Sequence, residues 1–327
     1  MPTNQSIKIG LLKESELREA DRIFRVAFGT FVGMPDPLEF MAGRNLIGPR
    51  WRSSHVKVVA AREGNRLIGL NVLTRWGSFG YFGPLNVLPE YWGRGVAQRL
   101  LTATMTTFDK WGLKHTGLMT FPQSAKHVAL YQKFGYWPDY LIAVMAYTPE
   151  ANVAGLVDPA PRGRRGETSA LLSEFNRGQR EEAIRACARV TNKINKGLDL
   201  TGEIRAVLTQ RGGDVVLTYT RDVLDGFAVC KNGAGSEGGE KVCFVKFGAA
   251  RGGAGAGERF DRLLTACEAF AFSRAATLEA GVNMAREDAF RRMRSHGYQV
   301  TMQGVAMQRP HAAGFNRPDA YVIDDWR

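Results

Sequence analysis

Cysteine is absent from the first 186 residues; Cys187, Cys230, Cys243 and Cys267 all follow, with no C-x-x-C pair among them. That pattern excludes a disulfide framework and argues against a zinc site. The four read as buried free thiols in a reducing compartment, so a cytoplasmic location and no metal are expected. Long apolar runs are missing as well, none approaching the roughly 20 residues needed to span a bilayer. The polar start Met1-Pro2-Thr3-Asn4-Gln5-Ser6 lacks the basic-then-apolar layout of a secretory signal. No membrane partner is expected. Runs of one charge sign are also missing, although the net charge is +12: Lys and Arg outnumber Asp and Glu by 18 to 11 in residues 1–150 and by 26 to 21 beyond. The densest stretch is Arg162-Gly163-Arg164-Arg165. Nucleic-acid binding is therefore not indicated, whereas a diffuse positive field suits capture of a polyanionic small molecule.

What is present is a chain of 327 residues, long enough for two domains. Ile7 to Leu12 reads as a strand, and Ser15 as the cap of a helix whose apolar positions are Leu17, Ala20, Phe24 and Phe28. Val56–Ala61 and Leu67–Leu73 form a predicted hairpin through Glu63-Gly64-Asn65-Arg66, followed by a strand from Tyr81 to Leu88. A helix is predicted from Val96 to Trp111, with Gly112 as its stop. A short strand Gly117–Thr120, a helix Lys126–Phe134 and a closing strand Leu141–Tyr147 complete the first half. The Pro, Gly and Arg texture that follows predicts a linker over residues 151–163.

The second half repeats the first. Arg-Leu-Leu-Thr-Ala occurs at 99–103 and at 262–266, while Gly135, Tyr136 and Met145 recur as Gly297, Tyr298 and Met307 at a constant offset of 162. Shared order, spacing and element type point to an internal duplication.

The segment Asn86-Val87-Leu88-Pro89-Glu90-Tyr91-Trp92-Gly93-Arg94-Gly95-Val96-Ala97 carries the most chemistry. A strand runs into a turn with two glycines that opens a helix, where unpaired N–H groups and the helix dipole form an anion site. A P-loop is excluded because Gly-Lys-Ser/Thr is absent, and a Rossmann fingerprint because position 98 is Gln98. The spacing instead resembles the acetyl-CoA signature of the GNAT superfamily, Gln/Arg-x-x-Gly-x-Gly/Ala after a Val-x-Pro strand end. Gly95 and Ala97 take its small-residue positions, and Trp92 stands where Gln or Arg is usual. Ser124-Ala125-Lys126-His127-Val128-Ala129-Leu130-Tyr131-Gln132-Lys133-Phe134-Gly135-Tyr136 resembles the family's later motif, Asn-x-x-Ala-x-x-Leu-Tyr-x-x-x-Gly-Phe, with Ser124 and His127 as departures.

The resemblance implies an α/β fold of two tandem GNAT-like domains, 1–150 and 164–327, each a twisted mixed β-sheet flanked by helices. It implies acetyl-CoA as cosubstrate in a cleft between splayed strands, contacted by Val87, Leu88, Trp92, Gly93, Arg94, Gly95, Val96, Ala97 and Ser124. The Leu88 N–H would take an oxyanion-hole role and Tyr131 that of general acid. The acceptor would be a primary amine, on a small molecule or a peptide, attacking directly. Candidates for deprotonating it are a water held by Asn86, or His127; Glu90 reads as a solvated loop residue. A non-catalytic acyl-CoA-binding module is the alternative, and the chain could be a monomer or a homodimer. In the second half Met293 replaces the tyrosine, and no specific cradle is legible in Gly248–Gly257, so that half reads as degenerate and non-catalytic. The acidic and aromatic tail 316–326 is expected to dock on the first domain or border the acceptor site.

Overall fold

The computed structural model describes residues 6–148 and 166–327. The expected linker and the Arg162–Arg165 stretch lie outside the described residues. In the first half, β1 (Ile7–Leu11), α1 (Leu17–Phe31) and α2 (Ile47–Trp51) precede β2 (Val56–Glu63), β3 (Arg66–Trp76) and β4 (Phe79–Val87). Then come α3 (Val96–Lys110), β5 (His115–Thr120), α4 (Ala125–Gln132) and β6 (Trp137–Tyr147). The second half repeats this order as β7 (Glu167–Leu171), α5 (Arg177–Ile194), α6 (Thr201–Gln210), β8 (Gly213–Thr220), β9 (Val223–Gly233) and β10 (Gly239–Ala250). It continues with α7 (Ala256–Phe272), β11 (Thr277–Asn283), α8 (Glu287–Ser295) and β12 (Gln299–Arg309), and one further strand, β13 (Val322–Ile323), follows. The duplication read from the 162-residue offset is thus present element by element.

The local expectations hold with small changes. The hairpin turns at Gly64, φ +59°, and Gly112 stops α3 at φ +66°. Ser15 does not cap α1, because it sits inside a short 3-10 turn, Glu14–Glu16. Glu16 organises that start instead: its carboxylate accepts from the Lys13 N–H at 2.7 Å and from Arg62 at 2.6 Å.

The two halves are joined by an exchange of strands that local pattern does not reveal. The 13 strands among the described residues form one sheet, ordered β1-β2-β3-β4-β5-β12-β6-β11-β10-β9-β8-β7, with β13 paired to β10. The expected closing strand β6 closes the other half: it lies between β11 and β12, while β12 takes the place beside β5. The register carries the same symmetry, since Thr120 opposite Val305 has its counterpart in Val282 opposite Ala143. Each half is therefore completed by the last strand of its twin, and neither has a closed sheet alone. A core of buried side chains spans the junction, with Trp76, Phe79 and Tyr81 packed among residues such as Ile184, Leu198, Phe227 and Phe247.

Charged side chains are also buried at this junction. Arg50 donates to Glu237 at 2.5 Å and to the Gly83 carbonyl at 3.1 Å. Lys231 bridges Glu237 at 2.7 Å and Glu203 at 3.1 Å, and His55 Nε2 lies 3.1 Å from Glu203. Lys246 donates to the main-chain oxygen of Arg327 at 2.6 Å. At the edge of the junction Glu279 receives Arg44 at 3.0 Å and Arg327 at 3.0 Å. Burial opposes ionisation of Glu279, but Arg327 and Arg44 outweigh it and bring its carboxyl down to about 2 from an ordinary 4.5. A depressed carboxylate contributes stability that is complete above its unfolded value and lost as pH falls through the folded one. The stability difference between the wild type and Glu279→Gln, from denaturant titrations at successive pH values, is therefore expected to shrink between pH 5 and about 2.

Candidate functional site

The glycine turn has the geometry its sequence implies. Gly93 and Gly95 adopt φ +79° and +74°, a left-handed conformation that favours glycine, and Gly95 is the residue on which α3 starts. Nothing lies within 4 Å of the space a side chain at Gly93 would fill, and at Gly95 the nearest atom is Gln98 Oε1 at 3.6 Å. The first α-helical bond runs from the Arg99 N–H to the Gly95 carbonyl, and the N–H groups of Val96, Ala97 and Gln98 find no acceptor among the described residues. Val96 is buried and Ala97 packs against the core, which anchors the turn while leaving its N–H groups outward. Tyr91, whose hydroxyl donates to Glu63 at 2.7 Å, is the post of the loop, and the Arg94 guanidinium lies 5.0 Å from its ring. Trp92 departs from the motif and acts differently. Its indole N–H donates to the Val87 carbonyl at 2.7 Å, tying the turn to the strand end. Lys126 lies 5.8 Å above the indole, and Glu90 pairs with Arg66 on the surface.

From this turn a gap opens into the sheet. The parallel pairing of β4 and β5 stops at Tyr81 opposite Gly117. The Leu88 N–H does not face this gap, since it donates to the Ile68 carbonyl of β3 at 2.9 Å. Because N–H directions alternate along an antiparallel strand, it is the Val87 N–H that points away from β3 and into the gap. The oxyanion role expected of Leu88 is corrected accordingly: its donor is spent on the ladder.

Side chains reach the gap from both faces of the sheet. Asn71 donates to Thr104 of α3, and the register places Leu85 and Phe82 on that same face. Tyr131 joins them, 8% exposed, its ring 5.7 Å from that of Phe82 and its hydroxyl next to Thr120. Asn86, opposite Leu70, lies on the other face. Its amide donates to the Pro84 carbonyl at 3.2 Å, and its buried Oδ1 has no partner among the described residues. His127 and Ser124 lie a turn further out, with Ser124 Oγ 3.0 Å from His127 Nδ1 and the imidazole 4.9 Å from the Phe31 ring. Burial, helped by Lys126, lowers the His127 pKa, so the ring is neutral at pH 7. Burial pushes the Tyr131 phenol well up, with only Thr120 pulling the other way.

The second half retains the turn and has lost the tyrosine. Gly253 and Gly255 take φ +89° and +73°, matching Gly93 and Gly95, although sequence alone left this loop unreadable. Here the Ala256 N–H is already used by the Gly253 carbonyl, and Arg259 donates to the carbonyls of Arg251 and Gly252. Met293, fully buried, stands where Tyr131 stands.

A mixed sheet with splayed central strands beside a glycine turn defines the GNAT fold, here present twice. Residues 28–136 match the family model described as the Acetyltransferase (GNAT) family. Solved structures resemble the whole chain. A candidate acetyltransferase from Pyrococcus horikoshii superposes with a TM-score of 0.65 at 13% identity, covering 99% of this chain and 96% of its own. A GCN5-related N-acetyltransferase from Sphaerobacter thermophilus gives 0.57 at 17% identity, covering 92% and 95%. A tandem GNAT protein from the clavulanic acid biosynthesis pathway gives 0.54 at 12% identity, covering 93% and 98%. Comparison with curated proteins returns no match. No helix among the described residues is long and apolar enough to cross a membrane.

Proposed function

We propose that the first half is an N-acetyltransferase that moves acetyl from acetyl-CoA to a primary amine at the gap between β4 and β5. The observation that carries this reading is the continuity of three features: an open left-handed glycine turn with free N–H groups, a strand donor at Val87, and a buried phenol at Tyr131. The N–H groups of Val96, Ala97 and Gln98 would hold the diphosphate, and Val87 an amide or thioester carbonyl of the extended arm. Acetyl-CoA supplies an activated thioester when bound. Tyr131 then acts as a hydrogen-bond donor to the sulfur as negative charge gathers there. A phenol of pKa about 10 is already a weaker acid than a thiol near 8.5, and burial raises it further, so Tyr131 retains its proton. Asn86 Oδ1, unpartnered on the opposite face, suits the amine or a water that accepts its proton. With no cysteine in this half, direct attack is the simpler course. The second half would serve as a wall on the α1 and α2 side, through the Arg50–Glu237 and Arg44–Glu279 pairs. The acceptor belongs to the class of small-molecule or peptide amines.

The test is thiol release from acetyl-CoA over an amine panel, comparing the wild type with Tyr131→Phe. A hydrogen bond to a charged group contributes about 1.5–3 kcal/mol, so kcat should fall roughly ten- to hundredfold. The KM for acetyl-CoA should change little. Coenzyme binding without turnover on any amine would favour the non-catalytic binding module. Unchanged kcat would remove Tyr131 from the chemistry.

A further inference from the structure

The second half has the same gap, and the chain itself fills it. Pairing of β10 with β11 ends at Val245 opposite Ala280. Beyond that point Val322 and Ile323 pair antiparallel with Ala249 and Gly248. The Ala250 N–H donates to the Tyr321 carbonyl at 3.0 Å, and the Asp324 N–H to the Gly281 carbonyl at 2.9 Å. Ala250 ends β10 as Val87 ends β4, so the donor that points into an open gap in the first half is here satisfied by a peptide. Arg286 fastens the segment. Fully buried at the position of Ser124, it donates to the Val322 carbonyl at 2.9 Å and to the Asp324 carboxylate at 2.5 Å. Its other arm reaches Asn316 at 2.5 Å, and the Tyr321 hydroxyl donates to Asp288 at 2.5 Å. A cavity of about 720 Å³ remains beside the turn, lined by Arg251, Gly253, Gly255 and Arg292, with Tyr321 in its wall. The strand thus separates the glycine turn from the interior of the sheet. The segment expected to dock on the first domain or to border the acceptor site is seated chiefly in its own half, and its end reaches across: the Trp326 ring lies 5.2 Å from that of Phe79 and against Gly117, and Arg50 donates to the Arg327 oxygen at 2.7 Å.

We infer that the second gap is a peptide site occupied in cis. Tyr321–Asp324 is a resident strand, recognised by main-chain pairing and by an Arg286–carboxylate contact, and it keeps coenzyme out of this half. The coenzyme count, one per chain, rests on the function proposed above; the residence of the strand does not. The test combines calorimetry of coenzyme A with amide hydrogen exchange on the full chain. One site per chain is expected, removed by Gly95→Asp. The Ile323 and Asp324 amides should be among the slowest to exchange, with coenzyme or without, and Arg286→Met should speed them at least tenfold. Two sites, or release of these amides by coenzyme, would overturn the inference while leaving the proposed function standing. No binding with slow amides would keep the resident strand and sink the coenzyme reading. Fast amides in the free wild type would sink the resident strand whatever binds.

Discussion

Glu237→Gln is expected to destabilise the protein by about 3–5 kcal/mol, the range for breaking a buried ion pair from one side. The side chain is nearly isosteric, so the loss is one of charge. Glu237 is 1% exposed and faces Arg50, Lys231 and Lys246, with Glu203 the other carboxylate in the group. Burial opposes its ionisation, yet these three cations hold its carboxyl far below the usual range. Removing it leaves three cations against one carboxylate in a region water does not reach. A fall in melting temperature on the order of 5–10 °C should follow. Lys246 gives the variant a pH signature. Burial and the neighbouring Arg50 already bring its ammonium down from 10.5 to about 8. A folded pKa below the unfolded one means the unfolded chain binds more protons between those values, so stability rises with pH there. Glu237 is one of the groups that hold this pKa up, so Lys246 sheds its proton at lower pH in the variant. The deficit of Glu237→Gln should therefore be largest where Lys246 is charged in both proteins, narrow as pH rises towards about 8, and level off above it. A flat deficit across that range would show that the cations are screened by solvent. The same variant should loosen the first half's site, because Arg50 also holds the Gly83 carbonyl, two residues beyond the last β4–β5 pair.

What could be seen in the sequence was what neighbouring residues encode. The helix from Val96, the turn at Gly93 and Gly95, the tyrosine helix and the 162-residue repeat are each set by residues a few positions apart. Three features were out of reach, each because its partners are far apart in the chain. The exchange of β6 and β12 leaves the alternation of both strands unchanged; only the identity of the neighbour differs, and periodicity does not encode that. The ionic group draws on positions 50, 203, 231, 237 and 246, none of which has a local charge pattern to mark it. Tyr321–Asp324 reads as an acidic, apolar tail, and its role depends on Arg286, whose place in the tyrosine motif belongs to a serine in the first half. Leu88 failed for a more local reason. A one-residue change in register inverts the direction of an N–H, and the strand end at Pro89 does not say whether Leu88 or Val87 faces outward.

Gly95→Asp should weaken coenzyme A binding at least a hundredfold while leaving the fold intact. The new Cβ meets only open space, with Gln98 Oε1 3.6 Å away. Aspartate is among the residues that tolerate φ near +74°, so the backbone strain is about 1–2 kcal/mol at most. The carboxylate is what matters. It would stand over the N–H groups of Val96, Ala97 and Gln98, where it can accept their hydrogen bonds and cap α3 from within, competing directly with a phosphate. Like charges about 4 Å apart near a protein surface repel by about 4 kcal/mol, and every 1.4 kcal/mol is tenfold in affinity. Two readouts separate this account from simple damage. The melting temperature should hold, since the cap offsets the strain, and the affinity loss should diminish as salt rises, because the repulsion is partly exposed to solvent. An affinity equal to that of the wild type would mean that the diphosphate lies elsewhere. The argument from Val87 and Tyr131 would then lack the anchor that brings a thioester to them.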